Sequence, residues 1–150
     1  MKVIFLDFDG VLNSRKYVDA CGHFGVIIDP SRMALLKQIV DATDARIVLS
    51  TSWREHWSPV AAQCDAVGEE INRIFKEHRL EIYDKIPQMN FKREQEIKAW
   101  LEDYPTVDRF VVLDDLFLDA PFMRGHFVRT SDLRDGLDED NVKEAIDILK

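Results

Sequence analysis

Apolar residues along the chain fall into two alternating patterns. The first is a set of short unbroken runs: Val3 to Leu6, Ile47 to Leu49 following Arg46, and Phe110 to Leu113. Such runs, rich in β-branched residues, fit strands buried on both faces, as in a parallel sheet. A weaker fourth run covers His126 to Arg129, and a short strand is expected near Leu80 to Tyr83. The second pattern repeats at helical spacing. Met33, Leu36, Ile39 and Val40 follow Asp29-Pro30, which reads as an N-cap with proline at the first helical position. Ile97, Trp100 and Leu101 form an i, i+3, i+4 stripe with Pro105 just beyond it. Val142, Ala145, Ile146 and Leu149 form the last stripe, behind Asp138 as cap and an acidic first turn that suits the helix dipole.

Strands alternating with helices predict an α/β chain: a three-layer, Rossmann-like fold with a central, mostly parallel sheet and helices on both faces. At 150 residues the chain suits one domain, 1–150. Residues 14 to 28 read as the most loop-like segment, and residues 54 to 91 as a mixture of helical stretches.

Each strand-like run ends in polar residues. Asp7 and Asp9 follow the first, Ser50 and Thr51 the second, and Asp114-Asp115 the third. In open parallel sheets ligands bind beyond the carboxyl ends of the strands, so these side chains are expected to converge on one edge. Several carboxylates crowded there call for a cation, and hard oxygen donors suit Mg²⁺, which brings phosphate with it. Gly10 permits a tight turn beside the ligand. Lys92 and Arg93, at the start of the Trp100 helix, are placed to offset the charge of a carboxylate attacking a phosphate.

Composition narrows the picture. A net charge of -8 disfavours a generic phosphate-tracking nucleic-acid binder. Cys21 and Cys64 form no metal-ligand pattern and read as reduced thiols, and none of the four histidines has a partner suited to zinc or a triad. The apolar run before Asp7 is too short for a signal peptide or a membrane span, which places the expected protein in the cytoplasm, with no membrane partner.

The string Asp7-Phe8-Asp9-Gly10-Val11-Leu12 after an apolar strand resembles the first motif of the haloacid dehalogenase (HAD) superfamily. Thr51 resembles the second, with Ser50 as its competitor. Lys92 or Arg93 resembles the third, and Asp114-Asp115 the fourth. The resemblance implies a Mg²⁺-dependent phosphomonoesterase of capless or minimally capped type. Asp7 would be the nucleophile that forms an aspartyl-phosphate, and Asp9 the general acid and base. Thr51, Lys92 or Arg93 and Gly10 would meet the phosphate. Asp7, Asp115 and the Asp9 backbone carbonyl would hold Mg²⁺, with Asp114 in support. An open site suits a large substrate such as a phosphorylated nucleic-acid end or a phosphoprotein, and a nucleotide is a third candidate. Closure of the site by another subunit of a homo-oligomer stays open.

Several features have two readings. Trp53, Arg54 and Trp57 either line the substrate mouth or alternate between core and surface. Arg124 to Arg129 is either a basic approach for an anion or an ordinary edge of the fold; Asp119 is expected to be a surface acid. A non-catalytic phosphate- or metal-binding module is the main alternative function, and the presence of Asp9 weighs against it. A phospho-accepting receiver domain is set aside, because it would carry its acidic pair after the first strand.

Overall fold

The computed structural model describes residues 1–150. Strands β1 (Lys2–Leu6), β2 (Arg46–Leu49), β3 (Ile82–Lys85), β4 (Arg109–Asp114) and β5 (Phe127–Arg129) form one sheet in the order β3-β2-β1-β4-β5. Every neighbouring pair is parallel. Helices α1 (Arg15–Cys21), α2 (Pro30–Thr43), α3 (Ala66–Glu77), α4 (Arg93–Asp103) and α5 (Glu139–Leu149) complete the chain. No helix is long and apolar enough to cross a membrane.

The two faces of the sheet bury separate cores. Ile4, Leu6, Ile47, Leu49, Val111 and Leu113 point to one face, where Met33 and Leu36 of α2, Phe75 of α3 and Val142 of α5 cover them. Val3, Phe5, Val48 and Val112 point to the other, under Ile97 and Trp100 of α4. This is the three-layer Rossmann-like architecture that the buried runs predict.

The helix starts follow the expected caps. Asp29 accepts from Ser31 N ahead of Pro30, and Asp138 forms a reciprocal capping box with Asn141. The segment 14–28 departs from expectation: it is not all loop, because Ser14 caps α1 and Gly22 ends it in the left-handed region (φ 91°). That helix buries no residue, so no apolar stripe announces it. The middle of the chain, 54–91, holds the helical stretches and the short strand expected of it, the strand two residues further on than Leu80 to Tyr83. It supplies α3 and the edge strand β3, both integral to the sheet layers.

The chain runs outward from β1 to β2 and β3, then returns to add β4 and β5 on the other side of β1. This reversal places a switch point between β1 and β4, the position where open α/β sheets bind ligands. Register sets what stands there. Leu6 pairs with both Leu49 and Leu113. One step further, Ser50 N donates to Leu6 O at 2.9 Å and Asp7 N to Leu113 O at 3.2 Å. Ser50, Asp7 and Asp114 therefore form the next row across three strands. Alternation directs all three to the face of Val48, Phe5 and Val112, which is the face covered by α4.

Candidate active site

Asp7, Asp114 and Asp115 each bring a carboxylate oxygen within 4.8 Å of the others. Asp7 is 7% exposed and Asp114 fully buried. The crowding has an electrostatic cost that the titration behaviour registers. Burial first, and the neighbouring Asp114 second, push the Asp7 carboxyl up to about 8, with Arg93 and the Phe8 N–H opposing. The same two causes push Asp115 up to about 6. A cation among them would remove this repulsion, and an all-carboxylate donor set fits Mg²⁺. Gly10 gives the fit a further mark. It sits at φ 82°, and a Cβ there would lie 2.4 Å from Cγ of Asp115. Only glycine lets Asp115 approach so closely.

Arg93, the first residue of α4, faces this cluster. Its Nη1 donates to Asp114 Oδ2 at 3.0 Å and lies 3.6 Å from Asp7 Oδ1. Lys92 is the N-cap position, exposed, and makes no ion pair. Asp114 also accepts from Leu116 N at 3.0 Å. Its charge is thus shared between a guanidinium and a backbone amide, as a fully buried carboxylate requires.

Ser50 and Thr51 have different surroundings. Strand β2 ends at Leu49, and a 3₁₀ turn begins at Ser52, so Thr51 falls at its N-cap and its Oγ1 accepts from Trp53 N at 3.3 Å. Ser50 Oγ is buried and has no hydrogen-bond partner, the one buried side-chain polar atom in this condition. It stands in the row of Asp7 and Asp114.

Asp9 is exposed and outside the three-carboxylate cluster. Asn13 Nδ2 donates to its Oδ1 at 3.1 Å and Trp53 Nε1 to its Oδ2 at 3.0 Å. Asn13 is itself fixed: its Oδ1 accepts from Gly10 N, and its Nδ2 donates to Ile27 O. Thr130 Oγ1 donates to Gly10 O at 2.6 Å, which ties the same turn to the end of β5. The sequence holds no pattern that would have singled out Asn13 or Thr130.

Of the two readings of Trp53, Arg54 and Trp57, the core reading holds for Arg54 and Trp57. Both are buried, at 4% and 3% exposure, and only Trp53 reaches the rim. A 3₁₀ turn has three residues per turn, so Arg54 and Trp57 share its inward side. Arg54 donates to the carbonyls of Thr51 and Ile86 and pairs with Glu96 of α4. It thereby fixes the backbone that carries Ser50 and Thr51. Trp57 Nε1 donates to Asn72 of α3. Asp119 is exposed, as expected of a surface acid, and Cys21 and Cys64 are free thiols.

A family model described as the HAD domain in Swiss Army Knife RNA repair proteins matches residues 3–142. No curated protein and no solved structure matches the chain.

Proposed function

Since the chain belongs to the family of HAD domains in Swiss Army Knife RNA repair proteins, we propose that it is a Mg²⁺-dependent phosphomonoesterase acting on the terminal phosphate of an RNA strand. One observation carries the reading. Asp7, Asp114 and Asp115 converge within 4.8 Å, with Arg93 beside Asp7 and an unpartnered Ser50 hydroxyl in the same row. A solvated turn would have neither the buried acids nor the half-buried cation.

In this reading Asp7 and Asp115 would hold Mg²⁺ together with the Asp9 carbonyl, while Asp114 orients Arg93. Bound there, Mg²⁺ supplies positive charge that offsets the phosphate dianion. Asp7 attacks phosphorus, and the bond to the leaving oxygen breaks with its electron pair on that oxygen. Asp9 donates the proton that neutralises it, exchanging its bonds to Trp53 and Asn13 for one to the substrate. Asp9 then takes a proton from water, whose oxygen attacks phosphorus; the bond from phosphorus to the Asp7 oxygen breaks with its electron pair on the carboxylate, freeing phosphate and Asp7. Arg93 meets the phosphoryl oxygens with a planar fork that a lysine lacks. Ser50, rather than Thr51, offers its hydroxyl to the same group.

The longest connections at the carboxyl edge, residues 7–29 and 50–65, are too small to form a separate cap domain, which supports a capless enzyme open to a large substrate. Phosphate release from p-nitrophenyl phosphate and from 5′- and 3′-phosphorylated RNA oligonucleotides, with and without Mg²⁺, tests the proposal. Release that needs Mg²⁺ and vanishes in a folded Asp7→Asn protein is the expected result. Activity that survives this substitution, or hydrolysis of neither substrate class, overturns it.

A further inference from the structure

A phosphate monoester held at Asp7 has the rest of its molecule outside the cluster. Phe24, Phe91, Leu116, Phe117 and Leu133 are large apolar side chains left exposed in the connections that follow β1, β3, β4 and β5. Three of them meet in one groove. Leu116, Phe117 and Leu133, exposed by 51%, 72% and 78%, line it together with Asp115, Arg129 and Arg134. Its volume of about 680 Å³ is that of a small-ligand site, and Asp115 makes it continuous with the carboxylate cluster.

The charges in the groove are unequally engaged. Asp132 is 3.7 Å from Arg15, Asp138 caps α5, and Asp115 belongs to the cluster. The two arginines have no carboxylate partner. Arg129 donates only Nε, to the Asp115 carbonyl at 3.0 Å, and its guanidinium lies 5.7 Å from the centre of the Phe117 ring. Arg134 makes no ion pair, and its side chain no hydrogen bond. The groove thus offers an open aromatic face and two guanidinium groups free for an anion, next to a site for a terminal phosphate. A base stacks on an aromatic face, and a strand supplies phosphates at regular spacing. An apolar peptide would fill the space between Leu116 and Leu133 but leave both cations unmatched.

We infer that this groove is the subsite for the terminal nucleotides of a single-stranded RNA, with a base on Phe117 and backbone phosphates on Arg129 and Arg134. The inference rests on the phosphatase reading for the position of the terminal phosphate.

Binding is measured by fluorescence anisotropy in Mg²⁺ on the full chain carrying Asp7→Asn, with labelled RNA octamers bearing one 5′- or one 3′-phosphate. Phe117 and Arg134 are exposed, so Phe117→Ala and Arg134→Gln leave the fold intact. Each is expected to raise Kd about tenfold, by loss of a stacked base or a phosphate contact. Two phosphate contacts give a slope of log affinity against log salt of about -1.4, reduced by about 0.7 in Arg134→Gln. Absence of RNA binding, an affinity in both variants equal to that of the parent Asp7→Asn protein, or a phosphopeptide that displaces the RNA better than unlabelled RNA does, overturns the inference. RNA binding that follows these variants, in a wild-type protein that hydrolyses no phosphoester, upholds the groove and removes the phosphatase reading alone.

Discussion

Arg54 Nη2 lies 3.0 Å from Glu96 Oε1, with the two side chains 5% and 6% exposed. The pair joins the 3₁₀ turn after β2 to the first turn of α4, three residues beyond Arg93. Glu96 spends its other oxygen on Met89 N at 2.6 Å, so the loop before α4 is fixed as well. The two elements that bring Ser50 and Arg93 to the site are therefore clamped behind it.

Removing one half of a buried pair strands the other. Glu96→Ala is expected to destabilise the protein by about 3–5 kcal/mol, measured by urea unfolding. Replacing both partners by apolar side chains, Arg54→Met with Glu96→Leu, is expected to recover much of that loss. A double variant no more stable than Glu96→Ala would contradict this account.

Asp7 carries a pH dependence whose sign is fixed. Its folded-state value, about 8, lies above the ordinary 3.8. Well below pH 4 the carboxyl is protonated in both states and imposes no penalty. As pH rises from 4 to 8 the unfolded chain ionises first, so the metal-free protein loses stability across that window. Asp7→Asn is expected to flatten the trend and to raise the metal-free Tm at pH 8 by at least about 2 °C. Mg²⁺ is expected to raise the wild-type Tm more at pH 8 than at pH 5, because it binds the ionised form. Scanning calorimetry at the two pH values checks all three.

Ser50 and Thr51 separate activity from stability. Ser50→Ala removes a buried hydroxyl that has no partner, so stability is expected to hold or rise, while kcat falls about 100-fold. Thr51→Ala removes a cap and is expected to cost about 1 kcal/mol with a much smaller effect on kcat. Paired measurements of unfolding and turnover on both variants would refute the assignment if the effects were exchanged.

Gly10→Ala sets a Cβ 2.4 Å from Asp115 Cγ at a φ of 82°. The side chain of Asp115 must move. Mg²⁺ affinity, measured by isothermal titration calorimetry, is expected to fall at least about tenfold, the size of loss seen when groups that orient a metal ligand are disturbed. Unchanged affinity would separate Asp115 from the metal.

Much of this was legible because burial writes itself into sequence. Val3 to Leu6 and Phe110 to Leu113 are apolar on both faces, so they read as inner strands, and the acids behind them had to emerge at one edge. Edge strand β3 was harder: Asp84 accepts from Trp100 and Tyr104 and Lys85 donates to the carbonyls of Arg54 and Trp57, so the strand has no unbroken apolar run and only its approximate place could be given. Helix α1 buries nothing and left no stripe. The two readings of Arg54 stayed open in the sequence because the partners that bury it, Ile86 and Glu96, come from distant parts of the chain. Choosing Arg93 over Lys92 required the direction of α4, since adjacent residues on a helix start point about 100° apart.

The row of Ser50, Asp7 and Asp114 has a consequence for quality control. Neighbouring strands sit about 4.8 Å apart, so the lateral spacing of the reacting groups is inherited from backbone pairing itself. A slip of one residue in β2 or β4 would turn a serine or an aspartate toward Met33, Leu36 and Phe75 and point leucine at the substrate. Misaligned chains would then be inert and also burdened with polar groups in the wrong core. Turnover is in this sense a report on alignment: a preparation's specific activity measures the fraction of molecules whose strands have found their proper partners.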